Sequence, residues 1–81
     1  MSSATPPMTI QYAQDLLRKI INAKDGDALH KIIADNVMWC DGVFFAELEN
    51  MVAEYHQRGD EISARKLKEV GDFMARLRFM I

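Results

Sequence analysis

The sequence predicts an all-α fold, a small antiparallel bundle of four helices. Apolar residues recur at spacings of three and four in several segments, which is the period of an amphipathic helix. Capping residues and glycines separate these segments, so the connections are short and neighbouring helices are expected to run antiparallel. The 81 residues suffice for one domain. A core of this size supplies roughly 3–5 kcal/mol, so tight packing or association must add stability.

The first helix is predicted to follow Thr9 as its N-cap. Residues 1–8, with two prolines, are expected to form a flexible leader, and residues 9–81 a single helical domain. We expect Gly26 to adopt positive φ after this helix and Asp27 to cap the next one. The apolar stripe of the first helix consists of Ile10, Ala13, Leu16, Leu17, Ile20 and Ile21.

The second helix is predicted over residues 28–35, with Asn36 in a left-handed exit. An apolar connector follows at 37–40, which is unusual for a loop. We expect it to pack beneath the helices, with Trp39 buried at a junction. A short strand is the competing interpretation, but an isolated strand has no partner and does not persist.

The third helix is predicted to begin after Asp41 and to end at Gly59, and Asp60 is predicted to cap the fourth. Gly71 costs about 1 kcal/mol inside a helix relative to alanine, which is tolerable if another helix crosses there at close range. The two apolar stripes are Phe44, Phe45, Leu48, Met51, Val52 and Tyr55 in the third helix, and Ile62, Leu67, Val70, Met74, Leu77 and Ile81 in the fourth.

The segment at 51–64 carries an aromatic residue, Tyr55, four positions before Gly59, and a small residue, Ala64, five positions after it. With Asp60 between them, this pattern resembles the helix-turn-helix core of a tetratricopeptide repeat over residues 48–71. The resemblance implies a tight turn at Gly59 and a close helix approach at Ala64.

The whole arrangement is also similar to short helical segments beside repeat or effector domains in cyanobacterial and other bacterial multidomain proteins. That resemblance implies an adaptor or interaction role and no reaction. The residues that carry it are Leu16, Leu17, Ala23, Asp27, Tyr55, Gly59, Asp60 and Ala64.

Charge and composition indicate which partners and which cellular compartment to expect. The net charge of −2, with both signs interspersed, gives no general reason to expect nucleic acid or an anionic membrane as partner. No apolar run approaches the roughly 18 residues that span a bilayer, and residues 1–8 lack the features of a signal peptide. Cys40 is the only cysteine, which favours the reducing cytoplasm.

No residue pattern predicts a catalytic, metal or cofactor site. His30, His56 and Cys40 could in principle hold a metal, but they lack ligand spacing. Cys40 near a helix N-terminus could be a reactive thiol, although Asp41 opposes thiolate formation and a buried, inert cysteine is the preferred interpretation. A calcium loop opening at Asp25 is excluded, because Asn36 occupies the twelfth position, where glutamate is required.

The surplus apolar residues predict a non-enzymatic protein–protein interaction module. Adjacent apolar residues on a helix point about 100° apart and cannot both face a narrow core. We therefore expect a protein interface, in an adaptor or a homo-oligomer with a symmetric dimer as the commonest form. The residues assigned to this interface are Phe44, Phe45, Phe73, Phe79, Met80 and Ile81.

The alternative function is a small regulator that contacts nucleic acid or its machinery through the basic last helix. The basic residues concerned are Arg65, Lys66, Lys68, Arg76 and Arg78. Glu69 and Asp72 interrupt their stripe and no aromatic side chain interleaves with it, so a solvated helix face is the preferred interpretation and nucleic acid is not the expected partner.

Overall fold

The computed structural model describes residues 8–80, and the side chains of residues 8–77. It contains four α-helices, one 3₁₀ turn and, within this range, no strand, so the predicted all-α fold is confirmed. The elements are α1 (Ile10–Ile21), α2 (Gly26–Asn36), the 3₁₀ turn (Val37–Trp39), α3 (Gly42–Gln57) and α4 (Glu61–Met80).

The four helices contribute unequally to the core. α3 and α4 form the most extensive pair, an antiparallel hairpin, and α1 packs on both of them. The shorter α2 packs mainly on α1 and on the 3₁₀ turn, so it lies at the edge of a three-helix core. The fully enclosed side chains of that core are Ala13, Leu17, Ile20, Cys40, Phe44, Leu67 and Met74.

Three helix starts lie where the sequence predicted them, and each is held by a side-chain oxygen. Thr9 Oγ1 accepts a hydrogen bond from the Tyr12 amide at 3.0 Å. Asp41 Oδ1 accepts from the amides of Val43 at 3.0 Å and Phe44 at 3.4 Å. Asp60, described below, does the same for α4. These caps satisfy amides that have no partner within their own helix.

The start of α2 corrects the prediction by two residues. Asp25, with extended backbone, is the N-cap, and its carboxylate accepts from the Ala28 amide at 2.8 Å. Asp27 lies in the first turn, where a negative charge suits the helix dipole. Gly26 is the first residue of the helix and does not have positive φ, since Gly59 is the only described residue that does.

The connector after α2 also differs from the prediction. Asn36 does not adopt the left-handed conformation, because its φ is −123° and the chain continues directly into the 3₁₀ turn. That turn has three residues per turn, so Val37 and Cys40 fall on one side and are buried. Met38 and Trp39 project to the other side, and the expected burial of Trp39 is wrong: it is 51% exposed.

Glycine has two specific roles in the α3–α4 hairpin. Gly59 adopts φ +82° at the turn, a conformation that side chains rarely tolerate. Gly71 is buried where α3 crosses α4, and a Cβ built there would lie 2.9 and 3.0 Å from the two δ-carbons of Leu48. The close crossing expected at Gly71 is therefore present.

The burial of three residues near the starts of α1 and α4 differs from the prediction. Met8, which the sequence assigned to the leader, is buried against the core, whereas residues 1–7 lie outside the described residues. Ile10 and Ile62 were assigned to apolar stripes but are exposed. Ile62 precedes the buried Ala64 by two residues, about 200° around the helix, so it faces away from the core.

In the part of the chain that is described, no helix combines the length and hydrophobicity needed to cross a membrane.

Candidate functional site

The predicted interface residues do not form one surface. Phe44 is 0% exposed and belongs to the core, so its assignment to an interface is wrong. Phe45 is half-buried, and its ring packs edge-on against that of Phe44 with centroids 5.3 Å apart. The bundle accommodates two adjacent phenylalanines because the half-buried ring of Phe45 packs at about a right angle against the enclosed ring of Phe44. Phe79, Met80 and Ile81 have side chains outside the described residues.

Phe73 is the predicted interface residue that does reach the surface. It is 40% exposed and lies in a shallow groove between α2 and α4. Its ring meets that of His30 edge-on, with centroids 6.3 Å apart. The groove encloses about 270 Å³ and is mostly apolar; the other residues that line it are Gly26, Leu29, Ile33, Glu69 and Val70.

A second apolar surface was missed by the sequence reasoning. Trp39 is 51% exposed, Met38 64% and Tyr12 50%. The Tyr12 hydroxyl donates a hydrogen bond to Asn36 Oδ1 at 3.1 Å, which brings the first turn of α1 beside the residue that precedes the 3₁₀ turn. We call these three residues the Trp39 surface. No alternation in the sequence could have revealed it, because all four residues at 37–40 are apolar and only the 3₁₀ turn separates the buried pair from the exposed pair.

The basic residues of α4 have different surroundings, and two of them, Arg65 and Lys68, line one shallow depression beside the α3–α4 turn. Lys66 is half-buried, and its ammonium donates to the Ile21 carbonyl at 2.9 Å, so it caps the last turn of α1. Arg65, Lys68 and Arg76 are exposed. The side chain of Arg78 lies outside the described residues. One of the five basic residues thus has a structural role, and contact with nucleic acid through this helix stays a prediction.

Ile62, 84% exposed, is the most accessible large apolar side chain among those that the structure describes. It lies at the start of α4 beside a shallow depression of about 290 Å³ that is otherwise lined by charged residues, namely Glu61, Arg65, Lys66 and Glu69. Because charge surrounds this single isoleucine, it does not extend into an apolar patch.

The candidate chemical residues are separated from one another. Cys40 is fully buried, and its thiol donates a hydrogen bond to the Asn36 carbonyl at 3.3 Å. His30 lies beside Phe73, whereas His56 Nδ1 lies 2.6 Å from a carboxylate oxygen of Glu61 across the α3–α4 turn. Across the described residues, no three side chains of histidine, cysteine, aspartate or glutamate are grouped to hold a metal ion.

One carboxyl has a clearly shifted pKa. The Ser63 backbone amide donates to Asp60 at 3.1 Å, and the Ser63 hydroxyl donates to the other oxygen at 2.8 Å. These hydrogen bonds, with a smaller contribution from the charge of Arg58, hold the pKa of Asp60 below its ordinary value of 3.8. The shift belongs to a helix cap, so it marks the α3–α4 turn rather than a catalytic acid.

Comparison of the chain with protein-family models, with curated proteins and with solved structures found no match. The likeness of residues 48–71 to a tetratricopeptide repeat therefore stands on the residues that carry it, and kinship with that family stays a prediction.

Proposed function

We propose that this chain is a non-enzymatic protein-interaction module, an adaptor or a self-associating unit that binds another protein chain through exposed apolar side chains. One observation carries the proposal. Among the residues whose side chains the structure describes, 8–77, six large apolar ones are at least 40% exposed: Ile10, Tyr12, Met38, Trp39, Ile62 and Phe73. Aromatic and methionine side chains are enriched at the centres of protein interfaces and are costly to leave in water.

Two surfaces support binding in different ways. The groove at Phe73 is apolar and open along α2 and α4, the shape that a helix from another chain can enter. A second copy of the chain is the first occupant to test there. The Trp39 surface presents a different set of residues at the end of the bundle where α2 meets α3, and it gives an adaptor a second place to bind.

The resemblance to tetratricopeptide hairpins supports the same class of function. The α3–α4 hairpin has its turn at Gly59, its aromatic residue at Tyr55 and its small residue at Ala64, which is buried. In repeat proteins such hairpins stack and present binding surfaces. We also propose a cytoplasmic location, which the single cysteine of the chain supports.

Sedimentation of the purified chain over a wide range of concentration tests self-association. We expect a monomer–dimer equilibrium that Phe73→Gln shifts toward monomer. Ile62→Gln, which removes an exposed apolar side chain at the start of α4, 11 residues before Phe73, serves as the control and should leave the equilibrium unchanged.

Affinity capture from the cells that make the protein tests the adaptor version. Wild type, Phe73→Gln and Trp39→Gln are compared, with circular dichroism to show that each variant is folded. Retention of a protein that depends on Phe73 or Trp39 supports the proposal. A strict monomer that retains no protein in a Phe73- or Trp39-dependent manner contradicts it.

A further inference from the structure

α2 buries fewer residues than any other helix of the fold. Ile33, which is 3% exposed, is its one buried residue, while Leu29 and Ile32 are half-buried at the margin of the core. α1 is only one residue longer, yet it buries four side chains. Because buried apolar area is the main source of stability, α2 is held to the bundle less firmly than the other helices.

The polar contacts of α2 with the rest of the fold lie at its C-terminal end. Asn36 accepts a hydrogen bond from the Tyr12 hydroxyl at 3.1 Å through its side chain, and one from the Cys40 thiol at 3.3 Å through its carbonyl. Within the part of the chain that is described, no hydrogen bond or ion pair links residues 26–35 to another helix. The N-terminal part of α2 therefore has no polar attachment of this kind.

A groove lies between this N-terminal part of α2 and the facing side of α4. It encloses about 270 Å³ that side chains do not fill. The rings of His30 and Phe73 meet edge-on across it, with centroids 6.3 Å apart. Protein interiors are normally close-packed, and a gap between two elements forfeits dispersion contacts on both sides. α2 thus gains little attraction from α4.

The chain that follows α2 is fixed to the core. Val37 and Cys40 of the next segment are buried, and the 3₁₀ turn packs against α4 as well as α2. Asp41 then caps α3 through two backbone amides. One end of α2 therefore continues directly into the core, whereas the other end follows a four-residue connection from α1.

The length of α2 determines what happens if it leaves the bundle. An isolated helix shorter than about 12–15 residues is marginal in water, and α2 has 11 residues. Residues that detach from the core therefore also lose their helical hydrogen bonds. Segments with few buried apolar contacts open in this local way far more often than the whole domain unfolds.

We propose that α2 is a lid hinged at the 3₁₀ turn. Residues 26–32 detach from the bundle and unwind, while Asn36 and the 3₁₀ turn stay in place and α1, α3 and α4 remain folded. Opening uncovers Val70, which is 6% exposed in the closed state, beside Phe73 on α4, so the apolar surface of the groove grows. The lid opens whether or not another chain binds in the groove, and it therefore goes beyond the proposed function.

Hydrogen exchange of the intact chain under native conditions, measured amide by amide by NMR at low denaturant concentrations, tests the lid. We expect the amides of residues 29–33 to be protected roughly tenfold less, or weaker still, than core amides such as those of Leu17 in α1 and Leu67 in α4. Local opening exposes little surface, so exchange at 29–33 should also depend less steeply on denaturant.

Two matched variants separate local opening from global unfolding. Lys31 of α2 and Lys68 of α4 are both exposed, and glycine at either position lowers helix stability by an amount worth about a threefold change in an equilibrium constant. Because α4 stays folded when the lid opens, Lys68→Gly should speed exchange at Leu17 and Leu67 about threefold and leave residues 29–33 unchanged. Lys31→Gly should speed exchange at residues 29–33 as well.

Three results would refute the lid. Equal protection of residues 29–33 and of Leu17 and Leu67, with the same denaturant dependence, would show that α2 opens only when the domain unfolds. Faster exchange at residues 29–33 in Lys68→Gly would show the same. A Cys40 thiol that reacts at the rate of α2 opening, rather than at the rate of global unfolding, would show that the 3₁₀ turn opens too and is not the hinge.

Discussion

The contact between Gly71 and Leu48 gives a quantitative prediction about the α3–α4 crossing. In an open helix, Gly71→Ala would stabilise the fold by about 1 kcal/mol, because alanine has the higher helix propensity. Here the added Cβ would lie 2.9 and 3.0 Å from the Leu48 δ-carbons, so Leu48 must move within a packed core. Overpacking of this kind costs about 1–3 kcal/mol.

With Leu48 in place, the gain in helix propensity and the cost of overpacking add up to a net destabilisation by Gly71→Ala of roughly 0–2 kcal/mol. Leu48→Val removes the obstructing δ-carbons, while the γ-carbon of Leu48 lies at an ordinary 3.6 Å from the added Cβ. In that background Gly71→Ala should stabilise by about 1 kcal/mol. The two substitutions are therefore coupled by about 1–3 kcal/mol.

Denaturant unfolding of the four chains of this double-mutant cycle, followed by circular dichroism, measures the coupling. Gly42→Ala is the control, since a Cβ there meets nothing within 4 Å, and its effect should be the same with Leu48 or valine at position 48. If Gly71→Ala changes the unfolding free energy equally in both backgrounds, the close crossing described above is refuted.

Three further predictions concern the turn and the core. Gly59→Ala should destabilise the fold by about 1–2 kcal/mol, because it forces a side chain into positive φ. Gly26 also has open space around it but does not have positive φ, so Gly26→Ala should not destabilise the fold. Chemical denaturation of both variants measures the difference. Asp60→Ala should lower the free energy of unfolding at pH 7, because the Asp60 carboxylate stabilises the fold. The difference in unfolding free energy between this variant and wild type should shrink as the pH falls below 3.8 through the lowered pKa of Asp60. A difference that stays constant from pH 7 into the acid range would contradict this. Cys40, fully buried, should react with a thiol reagent far more slowly than free cysteine until denaturant unfolds the chain, and reaction at the free rate in the native state would disprove its enclosure.

The sequence predicted those parts of the fold that depend on local chemistry. Thr9, Asp41 and Asp60 cap helices because a short side chain reaches an amide two or three residues onward. Such a cap depends only on the residue type and its position before an amphipathic segment, and both can be read from the sequence. Asp25 and Asp27 lie two positions apart, and either side chain is suitable as a cap. The sequence pattern alone therefore did not distinguish them, and the structure has Asp25 as the cap.

The surface was harder to predict than the core. Phe44 and Phe45 were both assigned to an interface on the argument that one narrow core cannot hold adjacent rings. The three-helix core encloses the first ring, and the second packs against it in a T-shaped contact. Trp39 was assigned to the core because of its size and apolar neighbours. The sequence analysis expected a left-handed exit at Asn36 and an irregular connector over 37–40, whereas the chain continues from α2 into a 3₁₀ turn that buries Val37 and Cys40 and exposes Trp39.

Site-specific photo-crosslinking in the cells that make the protein tests the central claim most directly. A photoreactive side chain at Met38, on the Trp39 surface, or at Phe73, in the α2–α4 groove, should yield a cross-linked species of defined mass with another protein chain or a second copy. The same group at Glu49, an exposed position on α3, is the control and should yield none. If Met38 and Phe73 give no defined product, or give no more than Glu49, the exposed apolar residues do not bind a protein and the proposed function is wrong.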